Sequence, residues 1–403
     1  MNFFTLIVNS AVFLLLPTYL IKLPLFPGAS LPLLDILLLL AIGANFKIIQ
    51  KNKLRFKPTF QFNLVWFGVF LILTAFVINI ILNFNQSDWT NSLGLLKSFF
   101  ILPILFAFSL NLLIQGKQKK IQLLWWHFFL GSIFVSVFAF LDFWNNKFTF
   151  DQRLQSFYNS PNSLAFTLST GFLIGFYLIK KRFFLTKTAC SLISVLLLLQ
   201  LFLLWQTQST GALIGVMGTI ILLFLIQSFP KYKNIFLTFL FIAPFIVLFL
   251  LLNSVFISAQ LNYTPLSPPS SLDSRLAIYQ SAKKIWQDHF WLGVGLSNFQ
   301  DSYLANQKFF TPYPQWAVPH AHNLLFQFAV EGGVVSLVGI TLILFSFFCN
   351  QKKRLRLSVF LLMSYFLLHG LADMPIWKND LAVIFWFIIF SIFSLKKVAN
   401  KVA

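Results

Sequence analysis

Two histidines and an asparagine stand together in the segment PHAHNLLFQFAVEGG. His320 and His322 flank Ala321, and Asn323 follows directly. Histidine has the side chain whose ordinary pKa lies nearest neutral pH, so His322 could take a proton from a substrate hydroxyl. The His-X-His pattern could also bind a metal ion, but no cluster of carboxylates accompanies it, so we expect no metal centre and no cofactor.

The same segment carries Glu331, nine residues after His322 and within an apolar run. A carboxylate in such a run is costly, which makes Glu331 a functional candidate; it could equally form a hydrogen bond that packs two helices. On one regular helix Glu331 would lie on the opposite face from His322. We therefore expect the two side chains to meet only if the helix is distorted at Gly332-Gly333.

Two arginines lie in polar segments that could bind phosphate. Arg153 belongs to DQRLQSFYNSPNSLA and Arg275 to SLDSRLAIYQSAKKIWQDHF. Arginine holds a phosphate with two parallel hydrogen bonds, so both residues are candidates for an anion site. Lys283 and Lys284 follow Arg275 in the same segment, and we expect them instead to reach lipid headgroups.

Two more polar segments carry candidate residues. Ser209 lies in QTQSTGA and Asp373 in HGLADMPIWKND. Apolar runs begin after the segments that contain Arg153, Ser209 and His322. If these runs are helices, their N-termini present unpaired N–H groups and a partial positive charge, which suits phosphate. Ser160-Pro161, ahead of the first run, is typical of an N-cap followed by proline.

The apolar runs that separate these segments predict the fold class. Apolar residues make up 58% of the 403 positions and charged residues 10%, which excludes a soluble domain. About 20 apolar residues cross the hydrocarbon of a membrane as a helix. The pattern predicts an all-α polytopic membrane protein with about twelve transmembrane helices. The predicted spans are 3–21, 30–46, 61–82, 93–114, 121–144, 161–179, 188–206, 211–228, 235–257, 321–348, 357–371 and 380–395.

The charges predict how these spans are oriented. Most of the thirty basic residues lie in short clusters after the even-numbered spans, and none of the ten acidic residues lies in those clusters. By the positive-inside rule this side and both termini are cytoplasmic. The net charge of +20 is therefore a topological signal, and it does not indicate a nucleic-acid partner, which would require one basic soluble face.

One long segment on the opposite, outer side divides the chain. We predict transmembrane helices one to nine at 1–257, an outer loop at 258–319 and helices ten to twelve at 320–403. The loop opens with a Pro/Ser-rich turn region and later contains a Gly-X-Gly turn in WLGVGLSNF, which is weak evidence for phosphate binding. It closes with VPHAHNLLFQFAVEGG, which enters span ten.

Between these turns the loop predicts a short amphipathic helix. Ser271 or Asp273 is a plausible N-cap. One face of the helix carries Leu276, Tyr279, Ala282 and Trp286 at three- and four-residue spacing. Such a helix is typical of one that lies on the outer membrane surface.

At these residues the chain resembles the O-antigen ligase and O-antigen polymerase family. SRLAIYQSAKKIWQDHFWLGVGLSNF resembles the family's arginine, tryptophan-bearing helix and Leu-Gly-X-Gly turn. PHAHNLLFQFAVEGGVVSLVG resembles its His-Asn entry to a helix with Glu-Gly, and RLQSFYNSPNSLAF resembles its Pro-Asn-X-X-Ala segment.

The resemblance implies a GT-C-like membrane glycosyltransferase in the bacterial cytoplasmic membrane. It implies a glycan donor linked to undecaprenyl diphosphate and an acceptor hydroxyl on lipid A core, on a growing polysaccharide or on a protein. By the same resemblance His322 would be the catalytic base and Arg275 would bind the diphosphate. Further candidates for substrate binding are Arg153, His320, Asn323 and Ser209, with Glu331 and Asp373 as supporting residues.

One departure from the family pattern bears on the donor. Ligases of this family usually have Ser-Arg-Gly where spans seven and eight meet, and this chain has Ser209-Thr210-Gly211. The missing arginine would be a second diphosphate ligand. Arg153 could replace it, or the donor could differ.

Three alternatives to a ligase stay open. A polysaccharide polymerase or a protein O-oligosaccharyltransferase would belong to the same family. A transporter or flippase would belong to another class, which places ionisable residues near the membrane midplane and often has internal repeats. Here the polar residues concentrate at one face, and the two halves show no clear repeat.

Overall fold

The structure, a computed structural model, describes residues 3–26, 29–51, 56–57, 59–84, 89–114, 117–181, 186–253, 271–306, 318–353, 356–391 and 396–397. The Pro/Ser-rich opening of the outer loop lies outside the described residues.

Helices dominate the described residues. They are α1 (Phe3–Leu14), α2 (Leu33–Lys51), α3 (Phe60–Leu82), α4 (Trp89–Leu95), α5 (Leu102–Ile114), α6 (Gln118–Trp144), α7 (Pro161–Lys181), α8 (Lys187–Gln206), α9 (Thr210–Ser228), α10 (Lys233–Leu252), α11 (Ser271–Asp288), α12 (Phe299–Asn306), α13 (Leu324–Lys353), α14 (Leu357–His369) and α15 (Asn379–Ser391). A π-helix, Leu96–Ile101, joins α4 to α5, and short 3-10 helices cover Leu16–Leu20 and Pro230–Tyr232. Strands β1 (Lys22–Phe26) and β2 (Ala29–Pro32) form one antiparallel pair, and β3 (Phe56–Lys57) and β4 (Lys396–Lys397) form another.

Every predicted span contains a helix. Within the described ranges, nine helical segments are long and apolar enough to cross a membrane, and the shorter apolar helices α1, α14 and α15 occupy the other three predicted positions. The prediction of an all-α polytopic membrane protein is confirmed. α15 lies inside the bundle, because all its residues from Asp380 to Ser391 are buried.

Two contacts agree with the predicted relative sidedness. β3 pairs with β4, which joins the segments after the second and twelfth spans, both predicted to be cytoplasmic. The carboxylate of Asp35 forms an ion pair with Lys97 Nζ at 2.9 Å, and both residues lie near the starts of even-numbered predicted spans, at the ends opposite the basic clusters. Which of the two sides is outside the cell stays a prediction.

The helix that begins after His322 is not continuous. α13 is broken at Gly333, whose φ of 64° lies in the left-handed region that favours glycine. The chain from Phe290 to Gly295, which contains the Gly-X-Gly turn, packs into the break. Four backbone hydrogen bonds join the two segments: Val294 N–H to Val330 O (2.9 Å), Gly295 N–H to Glu331 O (2.9 Å), Val334 N–H to Phe290 O (2.9 Å) and Val335 N–H to Trp291 O (3.3 Å).

These hydrogen bonds explain what the Gly-X-Gly turn does. Gly293 and Gly295 have φ values of 72° and 90°, which let the turn lie close against α13. The amide side chain of Asn79, near the end of α3, donates to the carbonyl of Leu292 and fixes the turn from the other side. The turn therefore completes the hydrogen bonding of a broken helix, and its geometry does not require a phosphate.

We expect Gly333→Ala to destabilise the protein strongly. Its new methyl group would overlap the carbonyl oxygen of Trp291, and the positive φ would be strained for alanine. The expected loss is about 2 kcal/mol or more, measured as a lower thermal unfolding midpoint in detergent. Gly43→Ala in α2 is the matched control, because its methyl group would meet no atom within 4 Å. Equal unfolding midpoints for the two variants would contradict the role given to the break.

Candidate functional site

The turn that precedes α13 is held by an asparagine N-cap. The side-chain oxygen of Asn323 accepts a hydrogen bond from the N–H of Phe326 (3.0 Å), and its Nδ2 donates to the carbonyl of Leu371 (3.1 Å). Asn323 is buried and both ends of its side chain are engaged. Asn323 therefore positions the His322 turn against the connection between α14 and α15. A contact between Asn323 and substrate stays a prediction.

That connection brings Asp373 to His322. The Nδ1 atom of His322 lies 3.5 Å from Asp373 Oδ1, which is within ion-pair range but longer than a well-formed hydrogen bond. Asp373 is itself fixed: its Oδ2 accepts from Asn162 Nδ2 (2.9 Å) and its Oδ1 from the N–H of Met374 (2.8 Å). A carboxylate held in this way can orient the imidazole, as a third group orients the base in a catalytic triad.

The surroundings keep Asp373 ionised. Burial alone would raise the pKa of Asp373, but the facing His322 imidazole, the ring of His369 and the N–H of Met374 together hold that pKa below its usual range. An ionised carboxylate opposite Nδ1 favours the His322 tautomer with its proton on Nδ1. The Nε2 lone pair is then the one that can accept a proton.

A tyrosine holds the backbone of His322 in an unusual conformation. His322 has a φ of 47°, which is costly for a residue other than glycine. The hydroxyl of Tyr279 donates to the carbonyl of His322 at 3.0 Å. Burial raises the pKa of Tyr279 to about 12, so its hydroxyl stays protonated and able to donate at neutral pH.

Tyr279 also shows what the apolar face of the predicted amphipathic helix contacts. α11 covers the predicted residues, but Tyr279 and Ala282 on its apolar face are buried within the protein. The Tyr279 ring stacks on Phe326 of α13 with ring centres 6.1 Å apart. Part of the apolar face therefore packs against α13, and the location of the helix on the outer membrane surface stays a prediction.

We expect Tyr279→Phe to lower the turnover of the site by about tenfold, the loss that follows from one oriented hydrogen bond. The ring and its packing would be kept, so the unfolding midpoint should change little. Turnover of substrate at saturation is the measurement, with Tyr232→Phe as the control on the 3-10 helix after α9. Unchanged turnover in Tyr279→Phe would show that the hydroxyl does not position His322.

The two arginines come together beside this pair. Arg153 Nη2 donates to Asn162 Oδ1 (2.8 Å), which connects it to Asp373 through Asn162. Burial lowers the pKa of Arg153; the Asp151 carboxylate, 3.8 Å away, opposes this, and the guanidinium of Arg275 adds to it. Arg275 makes no hydrogen bond or ion pair with any described residue. The positive charges of Arg153 and Arg275 are therefore close enough to repel each other, and an anion bound beside both would relieve this repulsion.

Arg153 lies near Ser209-Thr210-Gly211, the segment in which the family pattern has an arginine that this chain lacks. Arg153 Nε donates to the carbonyl of Thr207 at 2.9 Å, so its guanidinium lies where α8 meets α9. Ser209 is buried at the N-cap position of α9 without a side-chain capping hydrogen bond, and Thr210 follows with an exposed side chain. The position of Arg153 supports the hypothesis that it takes the place of an arginine at Thr210.

Some candidates lie elsewhere. Glu331 is buried and does not contact His322 among the described residues: its Oε1 accepts from the N–H of Ser297 (3.2 Å) and its Oε2 from Trp377 Nε1 (2.7 Å). His320 lines the same cavity as Glu331. On α11, Lys284 is paired with Asp288 (2.8 Å) and not with the site.

His369, the last residue of α14, borders the site. Its ring stacks on Phe166 with centres 3.9 Å apart, and its Nδ1 lies 2.8 Å from the Tyr365 hydroxyl. A Cβ atom added at Gly211 would lie 3.1 Å from the His369 ring. Gly211 is the third residue of the Ser209-Thr210-Gly211 segment. No local pattern distinguishes this histidine, because only the packing of α9 on α14 brings it there. In the part of the chain that the structure describes, no group of three or more metal-binding side chains could hold a metal ion.

A comparison with protein families supplies an independent finding. Residues 192–341 match the family model described as O-antigen ligase, which confirms the resemblance seen in the sequence. The match runs from α8 into α13 and includes Arg275 and His322. Arg153 and Asp373 come from outside the matched region, and the fold brings them to it. None of the curated proteins searched matches the chain.

Proposed function

We propose that this protein transfers a glycan from undecaprenyl diphosphate to an acceptor hydroxyl at the outer face of the bacterial cytoplasmic membrane. The match of residues 192–341 to the O-antigen ligase family model and the apolar helices of a multi-pass membrane protein support the proposal. The observation that carries the proposal is the meeting of Arg153 and Arg275 with the His322–Asp373 pair. A diphosphate needs cations, and an acceptor hydroxyl needs a base.

The proposed reaction is a single displacement with inversion. The acceptor oxygen attacks the anomeric carbon of the donor sugar, and its proton passes to His322 Nε2. The bond between that carbon and the diphosphate oxygen breaks, and its electron pair leaves with undecaprenyl diphosphate. Arg153 and Arg275 stabilise the charge that develops on the leaving group, in a site where electrostatic stabilisation and positioning supply most of the rate. Asp373 keeps the imidazole oriented and stabilises its protonated form.

The test is transfer by purified protein in proteoliposomes. A radiolabelled glycan on undecaprenyl diphosphate is supplied with rough lipopolysaccharide, with the same glycan donor alone, or with an acceptor peptide, each with and without chelator. We expect labelled lipopolysaccharide that forms with chelator present. A labelled product that forms only when the donor is the sole substrate would indicate a polymerase. A labelled product that forms only when the acceptor peptide is present would indicate a protein oligosaccharyltransferase. Movement of the donor between leaflets without any transfer would contradict the enzyme proposal and favour a flippase.

The proposed location has its own test. Asp288→Cys at the end of α11 should react with a membrane-impermeant maleimide added outside intact cells, because its side chain is exposed and predicted to be extracellular. Lys187→Cys at the start of α8 is predicted to be cytoplasmic and is the control. Both are made with Cys190→Ser and Cys349→Ser, which remove the native thiols. The reverse labelling pattern would move the site to the cytoplasm and overturn the proposed donor.

A further inference from the structure

A polar cavity of about 420 Å³ lies next to the His322 turn. Its walls come from separate parts of the chain: Asn91 of α4, Gln300 and Asp301 of α12, Glu331 of α13 and Trp377 of the connection before α15. These elements are far apart in sequence, so the tertiary packing of several segments forms the cavity.

The floor and the rim of this cavity are fixed by hydrogen bonds. At the floor, the buried Glu331 carboxylate holds the N–H of Ser297 and the indole of Trp377. At the rim, Asn91 Nδ2 donates to Ser297 Oγ at 2.6 Å. The shape is therefore set before any ligand enters, as is usual for small-molecule sites.

The lining indicates which ligand would bind. The described lining residues include three amide side chains, two carboxyl groups and an indole, and none of them is lysine or arginine; the amides belong to Asn91, Asn298 and Gln300. Amide and carboxyl groups match the hydroxyls of a sugar, which both donate and accept hydrogen bonds. The carboxyl groups of Asp301 and Glu331 would disfavour a phosphate. An uncharged, hydroxyl-rich ligand is the best match.

His320 connects this cavity to the proposed reaction centre. It lines the cavity, and its buried Nδ1 has no well-formed hydrogen bond to a described residue. Burial, with a further contribution from His322, lowers the pKa of His320 to about 4, so the ring is neutral and can bond a hydroxyl. Only Ala321, whose N–H is held by Gln327 Oε1 (2.8 Å), separates His320 from His322.

We propose that this cavity binds an uncharged sugar ring of the acceptor and presents its hydroxyl toward His322. The inference rests on the proposed transfer function and deepens it, since it separates an acceptor site at Glu331 and His320 from a diphosphate site at Arg153 and Arg275. The glycan of the donor has the same hydroxyl chemistry, so the experiment must distinguish the two sources.

The kinetic test uses two residues of α12 that line the cavity. Gln300→Ala and Asp301→Ala should each raise the KM for rough lipopolysaccharide by about tenfold, the effect of one or two lost hydrogen bonds. The KM for the undecaprenyl-diphosphate donor and kcat should stay unchanged. Asn306→Ala on the same helix, whose side-chain Nδ2 donates to the carbonyl of Ser302 (2.9 Å) and which does not line the cavity, is the matched control.

Each other outcome overturns the assignment. A raised KM for the donor alone would assign the cavity to the donor glycan, and unchanged values for both substrates would exclude a sugar site. A binding measurement separates this inference from the transfer function: alkylation of Gln300→Cys, with Cys190 and Cys349 replaced by serine, should be slowed by rough lipopolysaccharide alone and not by donor alone. If the wild-type protein transfers no glycan and the protection still occurs, the proposed reaction is wrong and the cavity assignment stands. If no protection occurs, the cavity assignment is wrong.

Discussion

Replacing His322 with alanine is expected to lower the rate of glycan transfer by about a thousandfold, within the range that general-base catalysis supplies. The acceptor hydroxyl would then have no base at the attacking face, while Arg153 and Arg275 would still bind the diphosphate. We therefore expect kcat to fall and the KM for the donor to change little. Single-turnover transfer in proteoliposomes measures the loss of the chemical step directly.

Two variants separate the base from its support. Asp373→Asn should reduce transfer less than His322→Ala, by about a hundredfold, because the imidazole stays but loses the carboxylate that orients it. His127→Ala in α6, whose ring nitrogen Nδ1 lies 2.7 Å from the carbonyl oxygen of Leu123, should transfer at the wild-type rate. Normal transfer by His322→Ala would defeat the assignment of the base.

The order of helices could be predicted because the signals for it are local. Apolar length predicts each span, and lysine and arginine predict their relative direction. Ser160 illustrates a cap that could be recognised directly: α7 begins at Pro161, and the N–H of Ser163 donates to Ser160 Oγ (3.2 Å). These features depend on a few neighbouring residues, so one sequence is sufficient to predict them.

The break in α13 could be suspected at Gly332-Gly333, but the segment that stabilises it could not be predicted from sequence. Gly332-Gly333 permits a distortion, yet the partner that stabilises it is the turn from Phe290 to Gly295, in another segment. The break also did not bring Glu331 to His322, because Glu331 turned toward Trp377 and Ser297 instead. Of the two interpretations considered for Glu331, the hydrogen bond between packed segments is the one with observed partners.

The support around His322 could not be predicted for the same reason. Tyr279 looked like one apolar residue of an amphipathic face, and Asn162 looked like part of a helix start. Their functions in the site depend on contacts with residues far away in sequence, 43 residues for Tyr279 with His322 and 211 for Asn162 with Asp373. Residue type identified the chemistry of the site, whereas tertiary packing determined which groups orient it.

Removing either arginine is expected to lower kcat/KM for the donor by about a hundredfold, the usual effect of one charge-stabilising group. Arg153→Ala and Arg275→Ala should not be additive in the double variant, because both groups would hold one diphosphate. Lys283→Ala, on the same helix as Arg275, should leave the donor kinetics unchanged. Additive losses, or no loss at all, would show that the two guanidinium groups do not share a ligand.

The closeness of Arg153 and Arg275 also predicts that removing one of these charges does not lower the stability of the protein. Because Arg275 has no partner among the described residues and lies beside Arg153, Arg275→Ala should keep or raise the unfolding midpoint without donor. The donor should raise the midpoint of the wild-type protein, since a ligand that binds only the folded state stabilises it, and this gain should be lost in the variant. A lower midpoint without donor would indicate that Arg275 has a structural function instead.

Arginine at position 210 provides the sharpest test of how this chain departs from the family pattern that it resembles. The Nε atom of Arg153 lies 2.9 Å from the carbonyl of Thr207, so its guanidinium already occupies the junction of α8 and α9 where Thr210 begins the next helix. Thr210→Arg combined with Arg153→Ala should therefore recover transfer to within about tenfold of wild type, because the charge returns to the same place. Recovery by Thr210→Arg but not by Thr210→Lys would show that a planar, bidentate cation is required. Failure of both, in protein that still folds and binds donor through Arg275, would mean that Arg153 acts through Asn162 and Asp373 on the base and not on the diphosphate.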